Sequence, residues 1–146
     1  AFTIDDNVPA ICSVNGNAGA AALSSKNVVG SGPLLMQNGN VQAVNNTSDH
    51  NTTSHPRTAI GVTKDGRVLF VTVDGRFPGL ATGMSSELLA KYMKILGAYS
   101  ALNLDGGGST TMWIKDKGVV NHTSQGGTGS WDNPKERSVG SIIYVE

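Results

Sequence analysis

The stretch Asn103-Leu104-Asp105-Gly106-Gly107-Gly108-Ser109-Thr110-Thr111 decides how the rest of the chain is interpreted. Apolar residues precede and follow it, at 98–104 and 111–114, and both runs are typical of strands. The glycines therefore form a loop between strands, where the backbone N–H groups can face a ligand that comes close to the main chain. No lysine follows and no helix opens there, so this is not a Walker loop, and the spacing excludes a dinucleotide fingerprint. The pattern predicts a loop that holds a phosphate or a sugar hydroxyl; a glycine hairpin in which Asp105 caps a turn is the structural alternative.

The composition limits the class of protein. The 146 residues fit a single domain, 1–146, and the formal net charge is zero with 15% charged residues. Nucleic acid and anionic membranes are therefore not expected partners. No apolar run approaches the roughly 18 residues of a membrane span, so no membrane insertion is expected. The single cysteine, Cys12, excludes an internal disulfide and a cysteine metal cluster.

Turn residues divide most of the chain into short strands. Asn38-Gly39 joins apolar runs at 34–36 and 41–43, and Lys64-Asp65-Gly66 joins runs at 58–62 and 68–73, so both segments are predicted hairpins. Further strands are predicted at 111–115, at 119–120 after the turn Asp116-Lys117-Gly118, and at 139–145, whereas 1–32 is predicted to be irregular and 45–54 and 123–135 to be polar loops.

One helix is predicted, at 85–96. Ser85 or Ser86 can cap its start, and Gly97 lies where a left-handed residue ends a helix. Its apolar residues share one stripe and are predicted to be core: Leu88, Leu89, Tyr92, Met93 and Leu96. A strand, a helix and a strand in succession predict a crossover between parallel neighbours, which would bring Asp74 and Asp105 to the same sheet edge. The predicted fold class is α+β, a mixed, mostly antiparallel β-sheet with one main helix in a strand-helix-strand crossover.

Five motifs resemble, in order and spacing, those of the phosphodiester glycosidases. They are His55-Pro56-Arg57-Thr58-Ala59-Ile60-Gly61, Val73-Asp74-Gly75-Arg76, Gly83-Met84-Ser85, the stretch 102–111, and Glu136-Arg137-Ser138-Val139. The resemblance covers about Val28 to Glu146. It implies a hydrolase that cleaves the sugar C1–O bond of a sugar 1-phosphodiester, such as an α-N-acetylglucosamine 1-phosphodiester, without a cofactor. It also implies a small-molecule or glycan sugar-phosphate substrate and an extracellular, periplasmic or cell-surface location.

The chain departs from the family pattern near its start. Family members carry an Asn-Gly-Gly-Phe-Phe-like segment that contributes to the site, and Val14-Asn15-Gly16-Asn17-Ala18 matches it poorly. We therefore expect the chain to be the C-terminal part of a phosphodiester glycosidase domain, which a further segment or a second polypeptide completes. One alternative is a carbohydrate-binding module or inactive fragment. The other is a metal-dependent phosphodiesterase with Asp74, Asp105 and His55 as ligands of a divalent metal.

The chemistry of a sugar 1-phosphodiester indicates which residue types the site needs. A phosphate monoester leaves the anomeric carbon readily, so cations on the phosphate and a carboxylate near that carbon carry most of the reaction. Asp105 is the first candidate for the carboxylate and Asp74 the second. The predicted substrate-binding and phosphate-binding residues are Arg57, Arg76, Thr58, Asn103, Gly106, Gly107, Gly108, Ser109, Thr110, Arg137 and His55.

Several of these residues have a competing structural interpretation. Arg57 can pair with a surface carboxylate, and Asp74 can cap the turn at Gly75. His55 precedes a proline and is compatible with a solvated loop. Arg137 can be an edge charge that opposes aggregation. Trp131 can cover the core or offer a face to a sugar ring.

Overall fold

The computed structural model describes residues 1–14, 16–21, 23–125 and 130–146. The strands are β1 (Phe2–Asp5), β2 (Val8–Ile11), β3 (Val28–Val29), β4 (Leu34–Gln37), β5 (Asn40–Val41), β6 (Arg57–Thr63), β7 (Val68–Val73), β8 (Ala98–Asn103), β9 (Trp113–Ile114) and β10 (Gly118–Val119). The helices are α1 (Gly16–Ala21), α2 (Asp49–Thr52) and α3 (Ser86–Ile95), with a 3₁₀ turn at Gly107–Ser109. The predicted α+β class, with antiparallel sheets and one main helix, is confirmed.

A five-stranded sheet in the order β5-β4-β8-β6-β7 forms the centre of the fold. Both predicted hairpins are present. β4 and β5 are joined by Asn38 and Gly39, whose φ angles of 50° and 81° suit the tight turn that matches strand twist. β6 and β7 pair in register from Arg57 opposite Val73 to Val62 opposite Val68.

Helix α3 covers one face of this sheet. The Ser85 side chain accepts a hydrogen bond from the amide of Leu88 at 3.2 Å, and Gly97 has a φ of 90°, so both predicted ends are confirmed. Leu89 and Met93 are fully buried against β4, β6 and β8. The predicted core stripe was too wide, because Leu88, Tyr92 and Leu96 are exposed. Within the described residues, no helix has the length and apolarity needed to cross a membrane.

The strands on either side of α3 are not neighbours, which corrects one prediction. β6 pairs antiparallel with both β7 and β8 and therefore lies between them. β7 and β8 still run in the same direction, so the residues that follow these two strands leave the sheet at the same end. The start of β6, at Pro56 and Arg57, lies between these two strand ends.

The first 32 residues are more regular than predicted. β1 pairs with β2 and β3 in a small antiparallel sheet, and its Phe2 and Ile11 pack on Ile60 and Leu102 of the central sheet. Asp6 and Asn7 turn β1 into β2 with φ angles of 49° and 62°, a conformation that these two residue types tolerate. The central sheet is thus covered by α3 on one face and by this sheet on the other.

The C-terminal part is less regular than predicted. The hairpin after the glycine loop contains only the two-residue strands β9 and β10. Residues 139–145 form no strand, and Ile142, Tyr144 and Val145 are exposed by 76%, 71% and 77%. The predicted loop at 123–135 is described except at 126–129.

Candidate active site

Three loops meet around the start of β6. His55 and Met84 exchange main-chain hydrogen bonds at 3.2 and 3.0 Å, and the amide of Gly107 donates to the carbonyl of Pro56 at 2.9 Å. Gly106 lies so close that a Cβ atom on it would be 2.7 Å from the Pro56 oxygen. Only glycine fits at that position, so the glycine loop is anchored against β6.

A cleft of about 200 Å³ opens beside these loops. Its walls are formed by His50, His55, Arg76, Asp105, Arg137 and the glycines 106–108. Pockets that enclose drug-sized ligands have roughly 300 to 1,000 Å³, so this cleft has room for only part of such a ligand. Five predicted site positions, counting the glycines as one, thus come together in it.

Arg76 is held in an unusual backbone conformation. Its φ is 65°, in the left-handed region that residues with a side chain seldom adopt. This conformation directs the guanidinium over the glycine loop, where a Cβ atom on Gly107 would lie 3.0 Å from its Nη2 atom. A glycine at 107 therefore gives the arginine room above the loop, and Arg76 presents a planar cation to the cleft.

Asp105 and Arg137 face each other across the same cleft. The Asp105 Oδ1 atom accepts from the amide of Gly106 at 2.9 Å, while Oδ2 lies 3.6 Å from Nη2 of Arg137. The same Arg137 nitrogen donates to the hydroxyl of Ser109. The Asp105 side chain is 79% exposed, so it is accessible to a ligand. The cleft therefore has a net positive charge, because it contains the guanidiniums of Arg76 and Arg137 and the single carboxylate of Asp105.

His55 is partly buried in the cleft wall. Burial lowers its pKa below the ordinary value of 6.5, and the charges of Arg57 and Arg76 and the nearby His50 lower it further. Its imidazole is therefore mainly neutral at pH 7. A neutral imidazole can accept a proton or donate one hydrogen bond.

Most amides of the glycine loop are bound within the protein and not turned towards a ligand, which differs from the sequence-based prediction; within the loop only the Gly108 amide has no partner among the described residues. The amides of Gly106 and Gly107 donate to Asp105 and Pro56, and those of Ser109 and Thr110 donate to carbonyls at Gly106 and Gly107. The loop instead forms a floor without side chains, and Arg76, Asp105 and Arg137 surround it.

Arg57 differs most from its predicted role as a phosphate clamp. Arg57 is only 1% exposed, and it is not part of the cleft wall. Nε donates to the Met84 carbonyl at 2.8 Å, and Nη2 donates to the carbonyls of His50 and Thr53 at 2.6 and 3.0 Å. Arg57 therefore ties the α2 segment to the loop before α3.

Three further predicted residues lie under the cleft. The hydroxyl groups of Thr58 and Thr110 are 3.3 Å apart, and Thr110 is buried. Asn103 is buried as well and donates from Nδ2 to the carbonyls of Gly32 and Leu104. Thr58 and Thr110 thus link the end of the glycine loop to β6, Asn103 links the end of β8 to Gly32, and none of the three side chains is part of the cleft wall.

Asp74, the second candidate carboxylate, is engaged by a neighbouring segment. Its Oδ1 accepts from the amide of His122 at 3.0 Å and from Nδ2 of Asn121 at 3.3 Å, and Oδ2 is 3.2 Å from Nδ1 of His122. Trp131 stacks on the His122 ring with 3.6 Å between ring centroids and packs edgewise on Phe77. One face of Trp131 is therefore covered.

The trio Asp74, Asp105 and His55 does not form the metal site of the phosphodiesterase alternative. Among the described residues, no three His, Cys, Asp or Glu side chains lie close enough together to hold a metal ion. Asp74 is bound to His122, and Asp105 faces a cation.

His50 is the cleft residue that sequence reasoning missed. It lies in the polar loop 45–54, where the residues follow no apolar period, and no motif includes it. The only available signal was its residue type, since the chain has three histidines.

Comparison with known proteins assigns the family. The model of the phosphodiester glycosidase family matches residues 1–146, the whole chain. The chain belongs to the phosphodiester glycosidase family. Four of the five family motifs contribute to the cleft, through His55, Arg76, the segment 105–108 and Arg137. The fifth motif contributes the Met84 carbonyl that binds Arg57.

The chain covers about a third or less of the length of the individual proteins to which it is similar. The zebrafish N-acetylglucosamine-1-phosphodiester alpha-N-acetylglucosaminidase catalytic domain, auto-inhibited by its pro-peptide, is 26% identical with a TM-score of 0.54, over 66% of this chain and 34% of that one. A hypothetical protein from Synechocystis is 34% identical with a TM-score of 0.53, over 66% of this chain and 18% of that one. The prophage-derived protein YomE of Bacillus subtilis is 36% identical over 72 residues, which are 49% of this chain and 11% of YomE.

Proposed function

We propose that this chain carries the phosphate-binding part of a glycosidase site that hydrolyses the sugar C1–O bond of a sugar 1-phosphodiester. The observation that supports it most is the convergence of Arg76, Arg137 and Asp105 above the glycine loop. A phosphodiester has one negative charge, which the excess positive charge of the cleft complements. The zebrafish relative acts, by its name, on N-acetylglucosamine 1-phosphodiesters, so we choose that sugar as the first substrate to test.

In this proposal the two arginines bind the phosphate oxygens. Guanidinium groups match these oxygens in pairs of hydrogen bonds and stabilise the charge that the leaving phosphate gains as the C1–O bond breaks. Both arginines lie beside the glycine loop, since the Arg76 guanidinium lies close to Gly107 and Arg137 donates to Ser109 and faces Asp105.

Asp105 is the proposed reacting carboxylate. It is exposed to the cleft, where its Oδ1 atom accepts a hydrogen bond from the amide of Gly106 and its Oδ2 atom faces Arg137. It can attack the anomeric carbon, stabilise its positive charge or activate water. The neutral imidazole of His55 is available as a proton acceptor beside it. Asp74 has the supporting role of holding the segment at 121–122.

Product analysis in ¹⁸O-labelled water tests the reaction. The substrate is the methyl phosphodiester of α-N-acetylglucosamine 1-phosphate. Label found in the sugar is the expected result, because water then attacks carbon. Label found in the phosphate would mean cleavage at phosphorus and would contradict the proposal.

Binding without turnover is the second candidate function. The exposed apolar residues of 139–145 favour it, because they are compatible with a surface that a completing segment or second polypeptide covers. Bound substrate with no product from this chain would support that function. The extracellular, periplasmic or cell-surface location remains a prediction.

A further inference from the structure

His50 forms part of the cleft wall without belonging to any family motif. It lies on α2, between β5 and β6, and its ring is partly stacked on that of His55, with 6.4 Å between centroids and 24° between planes. The pair faces the same cleft as Arg76 and Arg137. The segment at 45–54 thus adds a second imidazole to a wall that the family motifs otherwise build.

Arg57 fixes His50 through both its main chain and its ring. Nη2 of Arg57 donates to the His50 carbonyl at 2.6 Å, and Nη1 lies 3.3 Å from Nε2 of the His50 ring. A guanidinium has donors and no acceptor, so the interaction with Nε2 is a hydrogen bond only if Nε2 accepts it. A neutral His50 ring bound in this way has its proton on Nδ1.

The burial of Arg57 makes this arrangement rigid. The residue is 1% exposed, and its guanidinium also donates from Nη2 to Thr53 and from Nε to Met84. The guanidinium therefore cannot turn away from His50 without breaking its hydrogen bonds to the carbonyls of Thr53 and Met84. Nδ1 is the one nitrogen of the His50 ring that Arg57 leaves available.

We infer that His50 is a substrate-binding residue whose Nδ1–H donates a hydrogen bond to an oxygen of the sugar, and that Arg57 is the positioning residue that selects this tautomer. This inference rests on the proposed function. The sugar is the expected recipient, because Arg76 and Arg137 already provide the charged, paired donors that suit phosphate oxygens. A single neutral N–H instead suits an uncharged hydroxyl or amide oxygen.

Binding of two probes separates recognition of the sugar from recognition of the phosphate. The probes are the methyl phosphodiester of α-N-acetylglucosamine 1-phosphate and dimethyl phosphate, which has no sugar. We expect His50→Ala to weaken binding of the sugar diester about tenfold and to leave the affinity for dimethyl phosphate within about twofold. Arg76→Lys is the matched control and should weaken both. Equal losses for both probes in His50→Ala, or no loss for either, would overturn the inference.

The tautomer is measured directly by two-bond ¹H–¹⁵N correlation NMR of the histidine rings. We expect Nδ1–H for His50 in the parent protein, and the Nε2–H form as the main species would overturn the role of Arg57. In Arg57→Lys, which cannot bind the ring and the carbonyls together, we expect mixed tautomers and the same selective loss of sugar affinity. If that variant does not fold, the parent spectrum and His50→Ala still decide the question.

Hydrolysis of the sugar diester in the same samples distinguishes failure of the inference about His50 from failure of the proposed function. A parent protein that binds and hydrolyses the diester, together with a His50→Ala variant of unchanged affinity, would overturn only the inference about His50. A parent protein that binds neither probe would overturn the proposed function and this inference with it.

Discussion

The guanidinium of Arg76 lies directly over Gly107, so that a Cβ atom on the glycine would be 3.0 Å from Nη2 of the arginine. Both residues have positive φ angles, 65° for Arg76 and 59° for Gly107. The two loops that follow β7 and β8 therefore come into close contact where one of them has no side chain, and a methyl group there would push the guanidinium away. This contact joins the predicted phosphate-binding cation to the predicted ligand-binding loop.

Gly107→Ala should weaken phosphodiester binding by about tenfold, because its methyl group displaces Arg76. The positive φ should also lower the free energy of unfolding by about 1–2 kcal/mol. Gly66→Ala is the matched control, since Gly66 has a φ of 84° and open space around its Cβ position. It should lose similar stability and keep its affinity. Calorimetric titration and urea unfolding of both variants measure the two effects. Equal phosphodiester affinities of Gly107→Ala and Gly66→Ala would mean that the glycine loop does not contribute to ligand binding.

Arg57→Lys should destabilise the protein by about 2–4 kcal/mol, since one ammonium cannot satisfy the three main-chain carbonyls that the guanidinium binds. The control is Arg67→Lys at a side chain that is 78% exposed, where we expect less than about 0.5 kcal/mol. Urea unfolding compares them. If Arg57→Lys keeps its stability but loses much of its phosphate affinity, the result would contradict the structural role and support the phosphate-binding role that the sequence predicted.

The lowered pKa of His55 should make stability depend on pH. The unfolded chain takes up this proton near pH 6.5, whereas the folded protein takes it up only at lower pH. The unfolded state therefore binds more protons just below pH 6.5, and the free energy of unfolding falls as pH decreases through that value. His55→Gln should have a shallower slope between pH 8 and pH 5. Identical slopes in urea unfolding would mean that burial and the arginines do not affect this histidine.

The sequence predicted elements whose signals are local. Asn38-Gly39, the apolar strands around Lys64-Asp65-Gly66, and the capped helix after Ser85 all formed as expected, because turn and cap chemistry acts within a few residues. The cleft was predicted in part for another reason, namely that His55, Arg76 and Asp105 lie beside strand ends that meet at the same end of the sheet, whereas Arg137 was predicted from the family resemblance.

The predictions that failed depended on distant partners. Arg57 has the same sequence signature whether it binds a phosphate or carbonyls that are 4 and 27 residues away. The order of β6, β7 and β8 is likewise decided by packing across the sheet and not by the crossover pattern. Residues 139–145 have the composition of a strand, but an apolar run needs a paired edge and a covered face, and here it has neither.

Ile142→Ala tests this last difference. Because Ile142 is 76% exposed, the variant should change the free energy of unfolding by less than about 0.5 kcal/mol. Ile60→Ala is the buried counterpart, at 0% exposure, and should cost about 2–5 kcal/mol. Urea unfolding of the chain alone measures both. A loss of more than about 2 kcal/mol in Ile142→Ala would mean that the segment is packed as a strand.

The turnover of Asp105→Asn on a sugar 1-phosphodiester tests the central claim most directly. The amide can still accept from Gly106, so the variant should fold and bind, as unfolding and titration will show. If Asp105 acts in the transition state, turnover should fall by at least about a thousandfold, while Asp74→Asn, which alters the contacts to His122, should show a smaller loss. Turnover of Asp105→Asn within about tenfold of the parent would contradict the account and place the reacting carboxylate elsewhere.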